Sequence, residues 1–156
     1  MMRGLSLPDP AMAGKFRGEE GLEDIGVRVN SLAGVAPEDM SAALFEFEWE
    51  FKKGIARLDR MIPIGGELDA ARLAEVLRLC AWAHCEWVRI HPFANGNGRV
   101  ARLLANSVAM RYGLPDFVNL RPRPGGDYGA ASASAMRGDW HPMVIVFKRM
   151  LDDSLV

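Results

Sequence analysis

The sequence predicts an all-α domain with one short β-hairpin near its N-terminus. Three observations lead there. Apolar residues recur every three or four positions along most of the chain after residue 37, the spacing of an amphipathic helix. Period-two alternation occurs only over Ile25-Val27-Val29, with Gly26, Arg28 and Asn30 between, which is too little to build a sheet. Glycines and prolines then punctuate the helical stretches at Pro63–Gly66, at Pro92 and at Gly113. With 156 residues, 49% of them apolar, the chain has material for one core and reads as a single domain over 1–156. Within it we expect a poorly ordered tail over 1–12, a hairpin-bearing segment over 13–36 and a helical core over 37–153.

The first core helix starts at Pro37, which suits an opening turn, with Glu38 and Asp39 at the positive end of its dipole. Met40, Leu44, Phe47, Phe51, Ile55 and Leu58 form its apolar stripe. A second helix runs from about Asp69, bringing Leu73, Val76, Leu77, Cys80, His84, Trp87 and Val88 to related faces. It ends before His91, because a residue preceding proline is pushed out of the helical region. "GRVARLLANSVAMRYG" reads as a third helix with Val100, Leu103, Leu104, Ser107 and Val108 inward and Gly113 as its cap. "LPDFVNLRPRPGGD" is a loop, "YGAASASAMRG" a short tightly packing helix, and a terminal helix follows Asp139.

Composition narrows the function. A net charge of −1 supplies no broad basic field, so nucleic acid is not the expected partner. No apolar run approaches the roughly 18 residues of a membrane span, and the N-terminus lacks a secretory signal's apolar stretch, so the expected location is the cytoplasm. Cys80 and Cys85 are spaced for neither a disulfide framework nor a zinc knuckle and read as small core hydrophobes.

The stretch "HPFANGNGR", residues 91–99, carries the chemistry. A glycine turn opening into a helix aims unpaired backbone N–H groups at one spot, where the helix dipole favours an anion. Arg99 and Arg102 project from the same side of the following turn, and guanidinium groups match phosphate oxygens in pairs. His91, on a rigid proline-containing turn, is placed to take a proton near neutral pH. Taken alone, Gly96-Asn97-Gly98 reads equally well as a plain helix cap with surface arginines. Gly96, Gly98 and Ala101 also fit a dinucleotide fingerprint, but the helical periodicity of the preceding 50 residues leaves no room for its parallel strands. A Walker A loop is excluded, since no Lys-Ser or Lys-Thr follows.

The full string His91 to Arg102 resembles the signature of the Fic family, His-Pro-Phe-x-(Asp/Glu)-Gly-Asn-Gly-Arg-x-x-Arg, at eight of its nine specified positions. "AGKFR" with its alternating segment is similar to the family's N-terminal flap, "AWAHCEWVRIHPF" to its pre-motif helix, and "GLPDFVNLRP" and "GDWHPMVIVF" to later segments. The resemblance implies a compact Fic-type helical bundle that transfers AMP from ATP to a hydroxyl side chain of a target protein. His91 would be the general base, and Gly96, Asn97 and Gly98 would cradle the phosphates, with Arg99 and Arg102 on the β and γ groups. Phe93 would anchor the loop in the core, and the flap would hold the target segment by strand pairing. Doc-type relatives that use ATP as a phosphate donor carry Lys at the position of Gly98, so this chain sides with nucleotide transfer.

Asn95 is the departure from the pattern. The family's acidic residue there would hold Mg²⁺, whereas an amide offers a neutral, weaker oxygen to Mg²⁺ or Mn²⁺. The alternative function is therefore a catalytically weak or inactive Fic fold that serves as a nucleotide-binding or protein-interaction module. Many Fic relatives also carry an inhibitory helix with Ser/Thr-x-x-x-Glu, whose glutamate pairs with the arginine equivalent to Arg102. This chain has no threonine, and no glutamate stands four residues after any of its serines. The resemblance thus implies either a separate antitoxin-like protein that supplies the helix, as in toxin–antitoxin pairs, or a longer N-terminus since lost. Tyr128 is expected to flank the base or to pack, and His84 and His141 to be ordinary core or surface histidines.

Overall fold

The computed structural model describes residues 9–29, 31–63 and 65–155. Five helices carry the fold: α1 (Met40–Met61), α2 (Ala70–Ile90), α3 (Asn97–Arg111), α4 (Tyr128–Ala135) and α5 (His141–Ser154). Ahead of them lies the hairpin of β1 (Arg28–Val29) and β2 (Leu32–Ala33), antiparallel, with Arg28 opposite Ala33 and Val29 opposite Leu32. The strand expected over Ile25–Val29 is thus confined to its last two residues. Of the tail expected over 1–12, residues 1–8 lie outside the described residues, and Pro10–Met12 form a 3₁₀ turn.

Helix α2 is the axis of the molecule. Val76, Cys80, Ala81, Ala83, His84 and Ile90 are all fully buried, because α1, α3, α4 and α5 each pack against it. Its start is set by Asp69, whose Oδ1 accepts the N–H of Arg72 at 2.8 Å, a cap that stabilises a helix by roughly 1 kcal/mol. Two apolar clusters meet along it. The larger gathers Leu58, Val76, Cys80, Ala105, Val108, Phe117, Val118, Phe147 and Leu151 from the far end of the bundle. The smaller joins Met40, Phe47, Trp87, Val88, Ile90 and Ala101 beneath the hairpin, with Phe16 and Phe93 packed onto it. Both cysteines are free and buried, consistent with their reading as core residues.

The third helix corrects the sequence reading. Leu103 and Ser107 face outward, and the buried positions are Asn97, Ala101, Arg102, Ala105, Asn106, Val108 and Ala109. Small residues occupy the inner face because α3 lies close against α2, and the larger apolar side chains are left for the rim. Asn106 closes the polar end of this face: its Nδ2 donates to Val118 O at 2.9 Å, and its Oδ1 accepts Val118 N–H at 3.0 Å. That pair pins the loop after α3, which carries Arg121 and Arg123 past the start of the helix.

Candidate active site

The end of α2 and the start of α3 meet above the smaller cluster, and the chain between them turns on two left-handed residues. His91 caps α2 with φ 56° and ψ 55°, and among the described residues no other non-glycine residue has a positive φ. Such a conformation costs a side-chain-bearing residue about 1–2 kcal/mol, so it must be held. Its N–H donates to Trp87 O, and its ring Nδ1 lies 2.9 Å from Val88 O. A carbonyl only accepts, so Nδ1 carries the proton and Nε2 keeps its lone pair. Burial pushes the His91 pKa below the ordinary histidine value; the Val88 hydrogen bond opposes this and the charge of Arg17 reinforces it. The side chain is thus a neutral imidazole with one defined proton-accepting nitrogen.

Gly96, at φ 92°, begins α3 in a conformation that glycine adopts without strain. Asn97, 1% exposed, turns its side chain back on the loop: Oδ1 accepts Phe93 N–H at 2.9 Å and Nδ2 donates to Phe93 O at 2.7 Å. This closed ring shapes residues 93–97, and it leaves the backbone N–H groups at the start of α3 as the part of Asn97 and Gly98 that can meet a ligand. The Phe93 ring packs, tilted, 4.9 Å from that of Phe16 and 6.0 Å from that of Trp87, which fastens the loop to the segment ahead of the hairpin.

One cavity of about 290 Å³ opens here, lined by Val29, His91, Asn95 to Arg99, Arg102, Arg123, Tyr128 and Ser132 among others. Among the described residues its charged side chains are guanidinium groups, and no carboxylate lines it. Arg102, 6% exposed, donates to Leu120 O at 3.0 Å and to Tyr128 Oη at 3.4 Å, while its Nε has no partner. Arg99 likewise buries one terminal nitrogen without a partner. Burial and the nearby charges of Arg121 and Arg102 hold the Arg99 pKa below its usual value. Arg99, Arg102 and Arg123 all line the cavity, so the charge it offers a ligand is positive. Gly98 belongs to the same arrangement, since a Cβ there would come within 3.3 Å of the Arg102 guanidinium. A wider groove of about 580 Å³ between α1 and α3 is lined by Phe51, Ile55 and Val108 and by the paired Asp59 and Arg111, and it has none of this chemistry.

Residues 33–109 match the model of the Fic/DOC family, and that span holds the His91 turn, the glycine loop and both arginines. The chain belongs to the Fic/DOC family. Over 143 residues, 91% of its length, it is 33% identical to protein adenylyltransferase fic-1 of Caenorhabditis briggsae, covering 24% of that protein. It is 29% identical, again over 91% of its length, to protein adenylyltransferase Fic of Nematostella vectensis, covering 28% of it. It thus spans about a quarter of the length of these curated relatives. A Fic domain containing signaling protein from Bacteroides thetaiotaomicron shares the fold, with a TM-score of 0.60, 25% identity, and coverage of 91% of this chain and 52% of that one.

In this Fic domain, all the site residues singled out from sequence, His91, Asn95, Gly96, Asn97, Gly98, Arg99 and Arg102, line the one cavity. His141 lies outside it, exposed and bonded to Asp139. Tyr128 lines the cavity, yet its hydroxyl is bound behind it, 2.7 Å from Nε2 of the buried His84. That contact extends the Arg102 network into the core. Three participants escaped the sequence reading as site residues: Arg123 on the rim, Ser132 on α4, and Arg17 beneath the His91 turn. Arg123 lay in a proline-rich loop, and nothing in its spacing marks it; its guanidinium sits 5.7 Å from the centre of the Tyr128 ring.

Among the described residues no helix is long and apolar enough to cross a membrane, and no group of three or more His, Cys, Asp or Glu could hold a metal ion. Asn95 Oδ1 accepts the N–H of Gly96 at 2.6 Å. The residues present therefore do not make a cation site of their own, since Mg²⁺ favours carboxylate oxygen.

Proposed function

We propose that this domain transfers AMP from ATP to a hydroxyl group of a target protein. The observation that carries the reading is an imidazole whose Nδ1 is bound to Val88 O, leaving Nε2 as the accepting nitrogen, in one cavity with the guanidinium groups of Arg99 and Arg102. The target oxygen attacks the α-phosphorus in line, a new O–P bond forms, and the bond to the bridging oxygen breaks to release pyrophosphate. The hydroxyl proton goes to His91 Nε2. The N–H groups at the start of α3, with Arg99 and Arg102, receive the negative charge that develops on the phosphate oxygens, at donors already oriented before the reaction. Val29 brings the hairpin to the cavity wall, where an edge strand would align the target segment over His91.

Asn95 supports a second reading. A neutral side chain in place of a carboxylate suits a domain that binds nucleotide without turning it over. Incubation with labelled ATP and a cell lysate, with and without added Mg²⁺ or Mn²⁺, separates the two. Label on protein that is lost in His91→Ala, while ATP binding persists, supports transfer. ATP binding without any labelled protein assigns the domain to the binding class.

A further inference from the structure

Arg17 lies far from the glycine loop in sequence and is 1% exposed, an unusual place for a permanent charge. None of its hydrogen bonds goes to a carboxylate. Its Nε donates to His91 O at 2.7 Å, and one terminal nitrogen donates to Ile90 O at 3.0 Å and Val35 O at 2.8 Å. The other terminal nitrogen donates to Ile25 O at 3.1 Å, and the Arg17 backbone N–H donates to Pro92 O at 2.8 Å. Of the four carbonyls that the guanidinium meets, two end α2, where carbonyls lack intrahelical partners and the dipole is negative. The other two flank the hairpin, one before β1 and one after β2.

We propose that Arg17 is a positioning residue that ties the His91 turn to both ends of the hairpin, so that the imidazole and the surface facing a target segment are held as one piece. For the role of His91 this rests on the transfer reading above; for how His91 is held it rests on the bonds just given. Only a planar fork of five N–H donors serves four carbonyls at once, and a lysine ammonium has three donors and no fork. The hairpin closes on the same turn from above. A Cβ at Gly34 would lie 3.0 Å from His91 Cβ, 3.2 Å from the Arg17 guanidinium and 3.3 Å from Ile90 O. Glycine at 34 therefore lets the chain returning from β2 lie directly on the histidine. The charged groups around His91 are then Arg17 below it and Arg99, Arg102 and Arg123 across the cavity, all cationic.

Nitrogen NMR of the imidazoles tests this without requiring turnover, and the chain has only three histidines to resolve. At neutral pH the wild-type His91 should show one tautomer, protonated at Nδ1, assigned by its loss in His91→Ala. In Arg17→Lys the charge remains but the fork is gone. There His91 should show mixed tautomers while the His84 and His141 signals and the cooperative thermal transition persist. Transfer kcat should fall by about ten- to a hundredfold, with KM for ATP little changed because Arg99 and Arg102 are untouched. Gly34→Ala, whose Cβ would lie 3.2 Å from the Arg17 terminal nitrogen that serves Val35 O and Ile90 O and push it aside, should mix the His91 tautomers as well. An unchanged single tautomer in folded Arg17→Lys overturns the proposal. Should that variant fail to fold, unchanged His91 signals in Gly34→Ala do the same. If the wild type transfers no AMP, the tautomer measurements still decide the Arg17 role, and only the transfer reading falls.

Discussion

Acidification offers a direct test of the buried network behind the anion site. His84 is fully buried, and burial, reinforced by the charges of Arg102 and Arg123, lowers its pKa from 6.5 to about 3. In the unfolded chain the same imidazole protonates near pH 6.5. The unfolded state therefore binds more protons between those values, and stability rises with pH across that window and levels off above it. Each pH unit in the window is worth about 1.4 kcal/mol, so lowering the pH from 6.5 to 5 should remove about 2 kcal/mol through this one group. That is a large share of the roughly 5–15 kcal/mol by which a domain is stable, and it should lower Tm by about 4–8 °C. The assay is urea unfolding, followed by tryptophan fluorescence, at closely spaced pH values for the wild type and for His84→Gln. The variant loses packing and the Tyr128 contact, but those losses do not depend on pH, so the difference in slope isolates the titration. His91 contributes with the same sign in both proteins and cancels. Equal slopes for the two proteins between pH 5 and 6.5 would refute a neutral His84 in the folded state.

Two further predictions concern the cavity itself. Asn95→Asp adds a charged oxygen beside Gly96 and should lower the Mg²⁺ concentration needed for half-maximal labelling of protein; an unchanged metal dependence would mean that residue 95 meets no cation. Tyr128→Phe removes the hydroxyl between His84 and Arg102, which should cost about 1–3 kcal/mol of stability in urea unfolding and weaken ATP binding measured by calorimetry, with ATP affinity at the wild-type value counting against a role in holding Arg102.

The helical architecture and the cavity were legible for different reasons. Long amphipathic stripes such as Met40 to Leu58 announce a helix whatever surrounds them, and the glycine loop has a local physical meaning that needs no tertiary context. What could not be read depends on distance along the chain. Arg17 bonds to carbonyls that are 8, 18, 73 and 74 residues away, and backbone carbonyls carry no sequence signature. A charged residue next to glycine therefore reads as surface. On the inner face of α3, apolar bulk is not the sign of burial. Close approach to α2 selected alanines and left Leu103 38% exposed. The partnership of His84 with Tyr128 joins residues 44 apart on two helices and has no sequence signature for the same reason; the sequence leaves His84 as either a core or a surface histidine.

The alanines of α3 also determine where this domain is free to diversify. Ala101, Ala105 and Ala109 have no exposed surface, and a larger side chain at any of them would lever α3, with the glycine turn that opens the helix, away from α2. Overpacking of this kind costs about 1–3 kcal/mol and displaces the site at the same time. A library of substitutions scored for function should therefore find its least permissive positions among the smallest residues of the chain. The exposed loop from Leu120 to Asp127, which brings Arg123 to the cavity, is free of that constraint. Changes in what the cavity accepts would accumulate there and in the hairpin, while the seam between α2 and α3 stays fixed.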